Sequence, residues 1–266
     1  MTFSPTLLDV ENPHRAWQLM EWRSMMIEIA AVSLAAGMDE GLFTRLLNVI
    51  PPAKAQAVLR FMRRADRERS LAAELLARRQ LALRWGIDPL RQQWIKNGYG
   101  KPALPAPAPG HFNLSHAGDW VVLATHSRPV GIDVEQIQPI EAEIAEHYFS
   151  PEEQAYVNSA ADGWTERFFD IWTLKESYIK AVGQGLSIPL TSFSFRLAGP
   201  EPISVSCGGK QLPYAFRQYA LPGPYRLAVC ATAPEWPTDV KLIRLEELAA
   251  FFLNGPTGGR GLDRSV

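Results

Sequence analysis

The chain has 266 residues, of which 47% are hydrophobic and 21% are charged, and its formal net charge is −1 at pH 7. These values are typical of a globular protein with a sizeable core, and the near-neutral charge argues against a general attraction to nucleic acid or to membranes. The apolar run at residues 29–37 is too short for a membrane span or a signal peptide. The two cysteines, Cys207 and Cys230, provide no disulfide framework, which predicts buried thiols in a reduced, cytoplasmic protein.

The predicted elements begin after a peripheral stretch. Residues 1–24 are expected to be an N-terminal extension, disordered or produced by a start site assigned upstream of Met25 or Met26. Residues 27–34 have the composition of a strand. A helix is predicted at residues 48–77, because paired prolines are typical of a helix start. The proline-rich connector at residues 102–110 favours extended chain.

Beyond the connector, predicted strands and helices alternate. Ser150 and Glu153 indicate a helix start, with Ser at the N-cap, Pro at the first helical position and Glu at the third. The longest helix is predicted at residues 162–181 and ends at Gly183. The remaining elements are strands at residues 120–125, 130–134, 193–195, 214–219 and 225–231 and a final helix at residues 245–252.

This pattern is a mixed α/β (α+β) order in two halves of comparable size. We expect an N-terminal subdomain at residues 25–130 and a C-terminal subdomain at residues 131–252. A glycine-rich tail at residues 253–266 is expected to be disordered.

Acidic and apolar residues alternate in the strand predicted at residues 130–134 and just beyond it. Because successive side chains of a strand point to opposite faces, Asp133 and Glu135 share one face while Val130, Ile132 and Val134 enter the core. Two residues apart on a strand, the Cα atoms are separated by roughly 6–7 Å, so both carboxylates can hold one Mg²⁺ ion. The alternative to a metal site is an ordinary acidic strand face exposed to solvent. Taken alone, this short motif favours the exposed face.

The long predicted helix has an apolar face and a charged face. Its apolar face is formed by Phe168, Ile171, Trp172 and Ile179. Glu176 and Lys180 are one turn apart on another face, with Lys175 beside them. They form either an ordinary i,i+4 ion pair or a third metal carboxylate with two lysines for a polyphosphate.

Ser115 and His116 follow the proline-rich connector at a predicted junction of loop and strand. These two residues can bind phosphate, or they can be ordinary loop residues whose hydrogen bonds are made within the protein. A Ser-His-Asp hydrolase fits poorly, because adjacent side chains of extended chain point to opposite faces and the chain lacks a GxSxG elbow. A stripe of basic residues lies upstream and comprises Lys54, Arg60, Arg63, Arg64, Arg67 and Arg69. It is either a solvated helix face or a phosphate-binding surface.

In their order and spacing, these motifs resemble those of the Sfp-type 4′-phosphopantetheinyl transferases. The matching segments are Gly100-Lys101-Pro102, Asn113-Leu114-Ser115-His116, Gly131-Ile132-Asp133-Val134-Glu135 and Trp172-Thr173-Leu174-Lys175-Glu176-Ser177-Tyr178-Ile179-Lys180. The resemblance covers residues 26–252. It implies a pseudo-twofold phosphopantetheinyl transferase fold of two similar subdomains, with the active site at their interface.

The resemblance also implies the ligands of the site. Asp133, Glu135 and Glu176 become the ligands of Mg²⁺, and coenzyme A becomes the substrate. The implied coenzyme A contacts are Lys54, Arg69, Ser115 and His116 at the 3′-phosphate, Lys101 at the adenine pocket, and Lys175 and Lys180 at the pyrophosphate and pantetheine arm. Close relatives carry a second lysine where this chain has Ala57, so the 3′-phosphate grip is expected to be looser or supplemented by Arg60.

The implied reaction moves 4′-phosphopantetheine from coenzyme A to a serine of an apo acyl, peptidyl or polyketide carrier protein and releases 3′,5′-ADP. Asp133, Glu176 and Lys180 are the implied catalytic residues, with Glu176 as the base, directly or through a metal-bound water. A carrier surface is expected at Leu186, Ile188, Pro189 and Leu190, unless these residues return to the core.

Two other functions remain open at this point. One is a non-catalytic coenzyme A or nucleotide-binding protein on the same scaffold, and the other is a Mg²⁺-dependent phosphotransferase acting on a small molecule. The chain holds both halves, unlike the short trimeric carrier-protein synthases, so we expect a monomer. Neither nucleic acid nor membrane is an expected partner.

Overall fold

The structure is a computed structural model that describes residues 26–160, 162–197, 202–232 and 234–254. The expected extension at residues 1–24 lies outside the described residues. Of the predicted tail at residues 253–266, residues 255–266 also lie outside the described residues. Leu253 is part of a helix, so the predicted disorder does not begin there. None of the helices in the described part of the chain is long and apolar enough to cross a membrane.

The first half starts with a strand and three helices and closes with a hairpin. Its elements are β1 (Glu28–Ser33), α1 (Glu40–Leu47), α2 (Pro52–Leu59), α3 (Arg64–Trp85), β2 (Ile95–Lys96), β3 (Pro102–Ala103), β4 (His111–Ala117) and β5 (Trp120–His126). Strand β5 pairs antiparallel with both β1 and β4. The segment from His111 to His116 is therefore a regular strand, whereas the sequence predicted a junction of loop and strand.

The second half repeats this plan. Its elements are β6 (Val130–Gln136), α4 (Ala142–Tyr148), α5 (Pro151–Asn158), α6 (Trp164–Val182), β7 (Ser194–Arg196), β8 (Ser204–Cys207), β9 (Lys210–Gln211), β10 (Ala215–Tyr219) and β11 (Tyr225–Ala231). The chain then ends its described part with β12 (Lys241–Ile243) and α7 (Leu245–Leu253). Strands β7, β8 and β9 form a small separate sheet.

The two halves are related by their strand order. In each half the first strand lies beside the last strand of the closing hairpin, which gives β1-β5-β4 in one sheet and β6-β11-β10 in the other. The predicted pseudo-twofold α+β architecture is confirmed.

The two sheets pack against each other and carry helices on their outer faces. Ile29 and Ala31 of β1 enter the core between the sheets, while Ala30 and Val32 enter the core beneath the helices. Both faces of the central strands are buried, which explains their uninterrupted apolar sequences. The interface between the halves is thus a third core shared by both sheets.

The helix predicted at residues 48–77 is two helices. Helix α2 ends at Leu59, and Arg63 is extended with φ −87° and ψ 139° before α3 begins. Neither proline nor glycine marks this break. Helix α2 folds back along α3, where Val58 enters the core and Lys54 reaches Glu74 at 3.3 Å. Tertiary packing therefore overrides the local preference for one continuous helix.

The end of the chain returns to the first half. Strand β12 pairs parallel with β1, and α7 buries Leu245 and Leu248 in the core of the first half. Residues 241–252, which the sequence assigned to the C-terminal subdomain, therefore belong structurally to the N-terminal one. The physical reason is that β12 covers the edge of β1, which otherwise remains unpaired.

The two cysteines differ in their environment. Cys230 of β11 is buried, as predicted. Cys207 is exposed, so the prediction of a buried thiol is wrong there. It lies at the end of β8, where it pairs with Lys210 of the short strand β9.

Candidate active site

Strand β6 and helix α6 bring the acidic residues together. A Cβ atom at Gly131 would lie 2.0 Å from the carbonyl oxygen of Ser177 and 2.4 Å from the backbone nitrogen of Ala181. Glycine is therefore required at this position for the helix to approach the strand. This close contact places Asp133 of β6 beside Lys180 of α6.

Asp133 is the centre of the site. It is 2% exposed, and its Oδ1 accepts hydrogen bonds from Lys180 Nζ at 2.5 Å and from Ser115 Oγ at 2.9 Å. Its Oδ2 is buried and has no hydrogen-bond partner among the described residues. Ser115 comes from the first half and Lys180 from the second, so the site spans the interface. The alternation predicted for β6 is confirmed, since Val130, Ile132 and Val134 lie in the core between the sheets.

Burial raises the pKa values of all three carboxyl groups, and the charge of Asp133 raises those of Glu135 and Glu176 further. Burial raises the pKa of Asp133, although Lys180 and Ser115 act in the opposite direction. Burial also raises the pKa of Glu135 to about 7, assisted by the charge of Asp133 and opposed by Lys180 and a hydrogen bond from Trp172. Glu176 has a raised pKa through burial and then through Asp133. The ammonium group of Lys180 therefore interacts with all three carboxyl groups.

The donor set fits a hard divalent cation. Among the described residues, no group of three or more histidine, cysteine, aspartate or glutamate side chains is arranged so that it could hold a metal ion. The buried and unpartnered Oδ2 of Asp133 is nevertheless a free oxygen ligand, with two partly buried carboxyl groups near it. Carboxylate oxygens are the protein ligands that Mg²⁺ prefers. The three residues therefore match this ion chemically.

His116 lies on the opposite face of β4 from Ser115, as the alternation of a strand predicts. Ser115 is buried and His116 is exposed. Partial burial lowers the pKa of His116, and the positive charges of Arg69 and Lys180 lower it further. Arg69 donates to the carbonyl oxygen of Gly118 at 2.9 Å and to Asp66 at 2.5 Å. The imidazole thus lies in a positive field, which favours an anionic ligand.

Lys54 lies apart from this group. Its recorded partners are Glu74 at 3.3 Å and the ring of Trp94, whose centroid is 4.7 Å away. The structure shows Arg69 near His116 but records no contact of Lys54 with Ser115 or His116. The assignment of Lys54 to the 3′-phosphate stays a prediction.

Lys101 is bound to backbone carbonyl groups. Its Nζ donates to the carbonyl oxygens of Lys180 at 2.5 Å and Val130 at 3.1 Å. Burial lowers the pKa of Lys101 to about 8. It also lines a cavity of about 260 Å³, but its ammonium is engaged by the C-terminal end of α6. Through these bonds Lys101 links the two halves, and its assignment to an adenine pocket stays a prediction.

Lys175 faces away from the carboxyl groups. It is 0% exposed, pairs with Glu153 at 2.9 Å and donates to the carbonyl oxygen of Leu190 at 2.8 Å. The prediction that it faces a pyrophosphate is therefore wrong. Lys175 is one turn beyond the fully buried Ile171, so the helix directs it into the core of the second half.

The segment after α6 is divided between surface and core. Leu186 is 76% exposed, whereas Leu190 is buried. Pro189 is exposed and Ile188 is half-buried against the core. The predicted carrier surface therefore retains only Leu186 and Pro189 as fully accessible residues.

Sequence reasoning missed three residues that shape the site. Asn113 accepts a hydrogen bond from the backbone of Ile132 at 2.8 Å and thereby joins the two sheets. Asn97 donates to the carbonyl oxygen of Gly183 at 2.7 Å, beside Lys101. Trp172 donates to Glu135. Asn113 and Trp172 belong to the motifs quoted above, but their partners are distant in sequence.

Two family models match adjacent parts of the chain. The model described as "4'-phosphopantetheinyl transferase, N-terminal" covers residues 39–128, and that described as "4'-phosphopantetheinyl transferase superfamily" covers residues 129–230. The boundary between the two matches lies in the turn between β5 and β6.

Characterised relatives match most of the chain. It is 36% identical over 205 residues to the 4'-phosphopantetheinyl transferase Sfp of Bacillus subtilis (strain 168), covering 77% of this chain and 92% of that protein. It is 40% identical over 169 residues to the 4'-phosphopantetheinyl transferase gsp of Aneurinibacillus migulanus, covering 63% and 70%. The solved holo-[acyl-carrier-protein] synthase of Thermotoga maritima overlaps 40% of this chain and 64% of its own, at 19% identity and a TM-score of 0.34.

Proposed function

Because this chain belongs to the Sfp-type 4′-phosphopantetheinyl transferases, we propose that it uses Mg²⁺ and releases 3′,5′-ADP in a reaction at Asp133. As a member of this family, the chain is an enzyme that transfers phosphopantetheine from coenzyme A to apo carrier proteins. The observation that supports the proposed site is the meeting of Ser115, Asp133 and Lys180 across the interface of the two halves. No small-molecule acceptor is needed to explain this arrangement.

Positive side chains on two sides of the site suit the phosphates of coenzyme A. Arg69 supplies the positive charge of the first half, and the imidazole of His116 lies in its field, where the 3′-phosphate is expected to bind. Lys180 supplies the positive charge of the second half and would neutralise a pyrophosphate oxygen. Arginine and lysine provide charge-assisted hydrogen bonds to phosphate, which are stronger than neutral ones.

Asp133, Glu135 and Glu176 would hold the metal ion. When bound, Mg²⁺ neutralises charge on the pyrophosphate and makes its phosphorus more electrophilic. The buried Oδ2 of Asp133, which has no partner among the described residues, would be available to such an ion. Glu135, whose pKa is raised to about 7, loses its proton on binding a cation, so affinity for the ion is expected to rise with pH.

The chemical step makes one oxygen–phosphorus bond and breaks another. The hydroxyl oxygen of the carrier serine bonds to the β-phosphorus of coenzyme A, and the bond from that phosphorus to the bridging oxygen breaks. The bridging oxygen leaves with the electron pair as part of 3′,5′-ADP. Glu176, whose pKa is raised by burial and by Asp133, takes the proton of the serine. Positioning and charge neutralisation account for most of the acceleration of such transfers.

A mass measurement tests the whole proposal. The protein is incubated with coenzyme A, Mg²⁺ and a panel of apo carrier domains, with parallel samples that contain a chelator instead of Mg²⁺. We expect a gain of one phosphopantetheine on the carrier, equimolar 3′,5′-ADP by chromatography, and no gain with the chelator. Transfer that persists with the chelator would contradict the metal requirement. Absence of transfer across all carriers would favour a coenzyme A-binding role or a small-molecule phosphotransferase.

Glu176→Gln tests the proposed base. The variant keeps the shape of the side chain but cannot accept a proton, so transfer is expected to fall by roughly 10² or more while coenzyme A still binds by calorimetry. Glu166→Gln, in the first turn of the same helix, is the matched control and should transfer normally. Near-wild-type transfer by Glu176→Gln would exclude this residue as the base.

A further inference from the structure

The turn between α2 and α3 exposes three apolar side chains. Leu59 and Phe61 are each 45% exposed, and Met62 is 93% exposed. They alternate with Arg60 and Arg63, and we call residues 59–63 the apolar–basic turn. Clustered apolar side chains on a surface mark interaction sites more often than single ones do.

The arginines around this turn fall into two groups. Arg64 pairs with Glu40 at 2.6 Å and Glu68 at 2.7 Å, and Arg69 pairs with Asp66 at 2.5 Å. Arg60 and Arg63 are exposed, and neither guanidinium has an ion pair or hydrogen bond to any residue that the structure describes. Most side chains of the basic stripe therefore bind other groups of the protein. The two with no such partner among the described residues, Arg60 and Arg63, flank the apolar side chains.

Backbone contacts fix the shape of the turn. Arg67 donates from Nε to the carbonyl oxygen of Phe61 at 2.7 Å. The backbone nitrogens of Arg60 and Phe61 donate to the carbonyl oxygens of Ala57 and Val58, both at 3.3 Å. The turn therefore presents its side chains in a preformed arrangement, which lowers the entropy cost of binding a partner.

The turn is connected to the candidate site through the start of helix α3. Helix α3 begins at Arg64, and Arg69 follows five residues later, roughly 8 Å along the helix axis. Arg69 donates to the carbonyl oxygen of Gly118, two residues beyond His116. The apolar–basic turn is therefore carried by the same helix end as Arg69, whose charge acts on His116.

We propose that the apolar–basic turn docks the protein that presents the acceptor serine, by binding a helix on which carboxylates flank an apolar ridge. The alternation of free arginines with apolar side chains complements such a helix in both charge and hydrophobicity. A membrane surface is disfavoured, because stable peripheral binding takes a larger basic cluster than two arginines. This inference rests on the proposed function and adds a docking surface on the first half of the molecule.

Two variants test the docking surface. Phe61→Ser with Met62→Ser removes apolar contact, and Arg63→Glu reverses a charge at the residue that carries no expected contact with coenzyme A. For each, we expect the KM for the carrier to rise about tenfold, with kcat and the KM for coenzyme A unchanged, because only encounter and residence of the partner are affected. Added salt should raise the carrier KM of the wild type and have little effect on that of the charge-reversed variant.

A matched control is available beyond the other end of α3. Leu90 is 55% exposed and the side chain of Arg91 is 89% exposed, so Leu90→Ser with Arg91→Glu makes the same chemical change away from the site. This variant should keep the wild-type carrier KM. Circular dichroism and melting temperature verify that all the variants fold.

The outcomes separate this inference from the proposed function. If the wild type transfers phosphopantetheine and both folded turn variants keep a normal carrier KM, the docking inference is overturned and the function remains. The inference is also overturned if the variants only lose binding to phosphatidylglycerol vesicles, which would assign the turn to membranes. If the wild type modifies no carrier at all, the proposed function itself fails and the docking role fails with it.

Discussion

The ammonium group of Lys180 interacts with three acidic side chains at once. Burial lowers the pKa of Lys180, but the charges of Asp133, Glu176 and Glu135 and a hydrogen bond to Asp133 outweigh this effect and raise it. One positive charge cannot neutralise three carboxylates, and burial raises the pKa of each of them. A divalent cation would supply the missing positive charge.

Glu135→Gln tests how one of these carboxyl groups affects stability. The pKa of Glu135 is raised from 4.5 to about 7 in the fold, so the folded state binds a proton more tightly than the unfolded chain between these values. Stability from this group is complete below about pH 4.5 and is lost as pH rises through about 7. Without Mg²⁺, the variant should therefore be more stable than the wild type at pH 8 by about 1–3 kcal/mol, with a much smaller difference at pH 5. Urea unfolding at both pH values measures this.

The control for that experiment is Glu152→Gln on the exposed surface of α5, which should have no effect at either pH. Added Mg²⁺ should stabilise the wild type and so reduce the difference in unfolding free energy between it and Glu135→Gln at pH 8, because a bound cation favours the carboxylate. A stabilisation by Glu135→Gln that is equal at pH 5 and pH 8 would show that the charge of Glu135 is not its cause.

At the scale of elements, the close packing of α6 on β6 determines the site. Three residues of the site, Asp133, Glu176 and Lys180, are carried by these two elements. Lys101 and Asn97 from the first half hold the C-terminal end of the helix through backbone carbonyl groups. Small changes in the distance between strand and helix therefore move the acid groups relative to one another.

Gly131→Ala tests this contact. The added Cβ would lie 2.0 Å from a backbone oxygen and 2.4 Å from a backbone nitrogen of α6, which cannot rotate away as a side chain can. We expect a loss of about 2–4 kcal/mol in the free energy of unfolding, together with reduced transfer.

Gly98→Ala is the matched control, because a Cβ there meets no atom within 4 Å. Thermal unfolding and the mass assay compare the two variants. A Gly131→Ala protein as stable and active as the wild type would show that the strand and helix have room to separate.

At the scale of the molecule, the halves are joined in two ways. The core between the sheets contains side chains of both, such as Ile29 from β1 and Val229 from β11. The chain also returns from the second half to complete the first with β12 and α7. The two halves therefore share a core in addition to their own, and we expect the described part of the chain to unfold in one cooperative transition.

Leu248→Ala tests that cooperativity. Leu248 is 0% exposed in α7, so its truncation should cost about 2–5 kcal/mol. Because the halves are coupled, hydrogen exchange should accelerate in β1 and also in α6. Leu242→Ala, at a side chain that is 52% exposed, is the control and should change little. Faster exchange confined to the first half would contradict a single cooperative unit.

The sequence by itself determined the features that depend on neighbouring residues. The alternation at Asp133 and Glu135, the capping box at Ser150 and Glu153, and the helix end at Gly183 were all predictable, because strand pleat and helix capping act over a few residues. The ordered motifs likewise indicated the family that the relatives show.

Only the tertiary structure decided what depends on partners far along the chain. The break before Arg63, the return of β12 to β1 and the burial of Lys175 have no local signal. Lys101 shows this most clearly, since it binds the carbonyl oxygen of a residue 79 positions away. The sequence around a lysine does not reveal whether its ammonium group binds a ligand or a backbone carbonyl group. Tertiary packing decides which of these groups lies next to it, and a buried ammonium group must bind one of them.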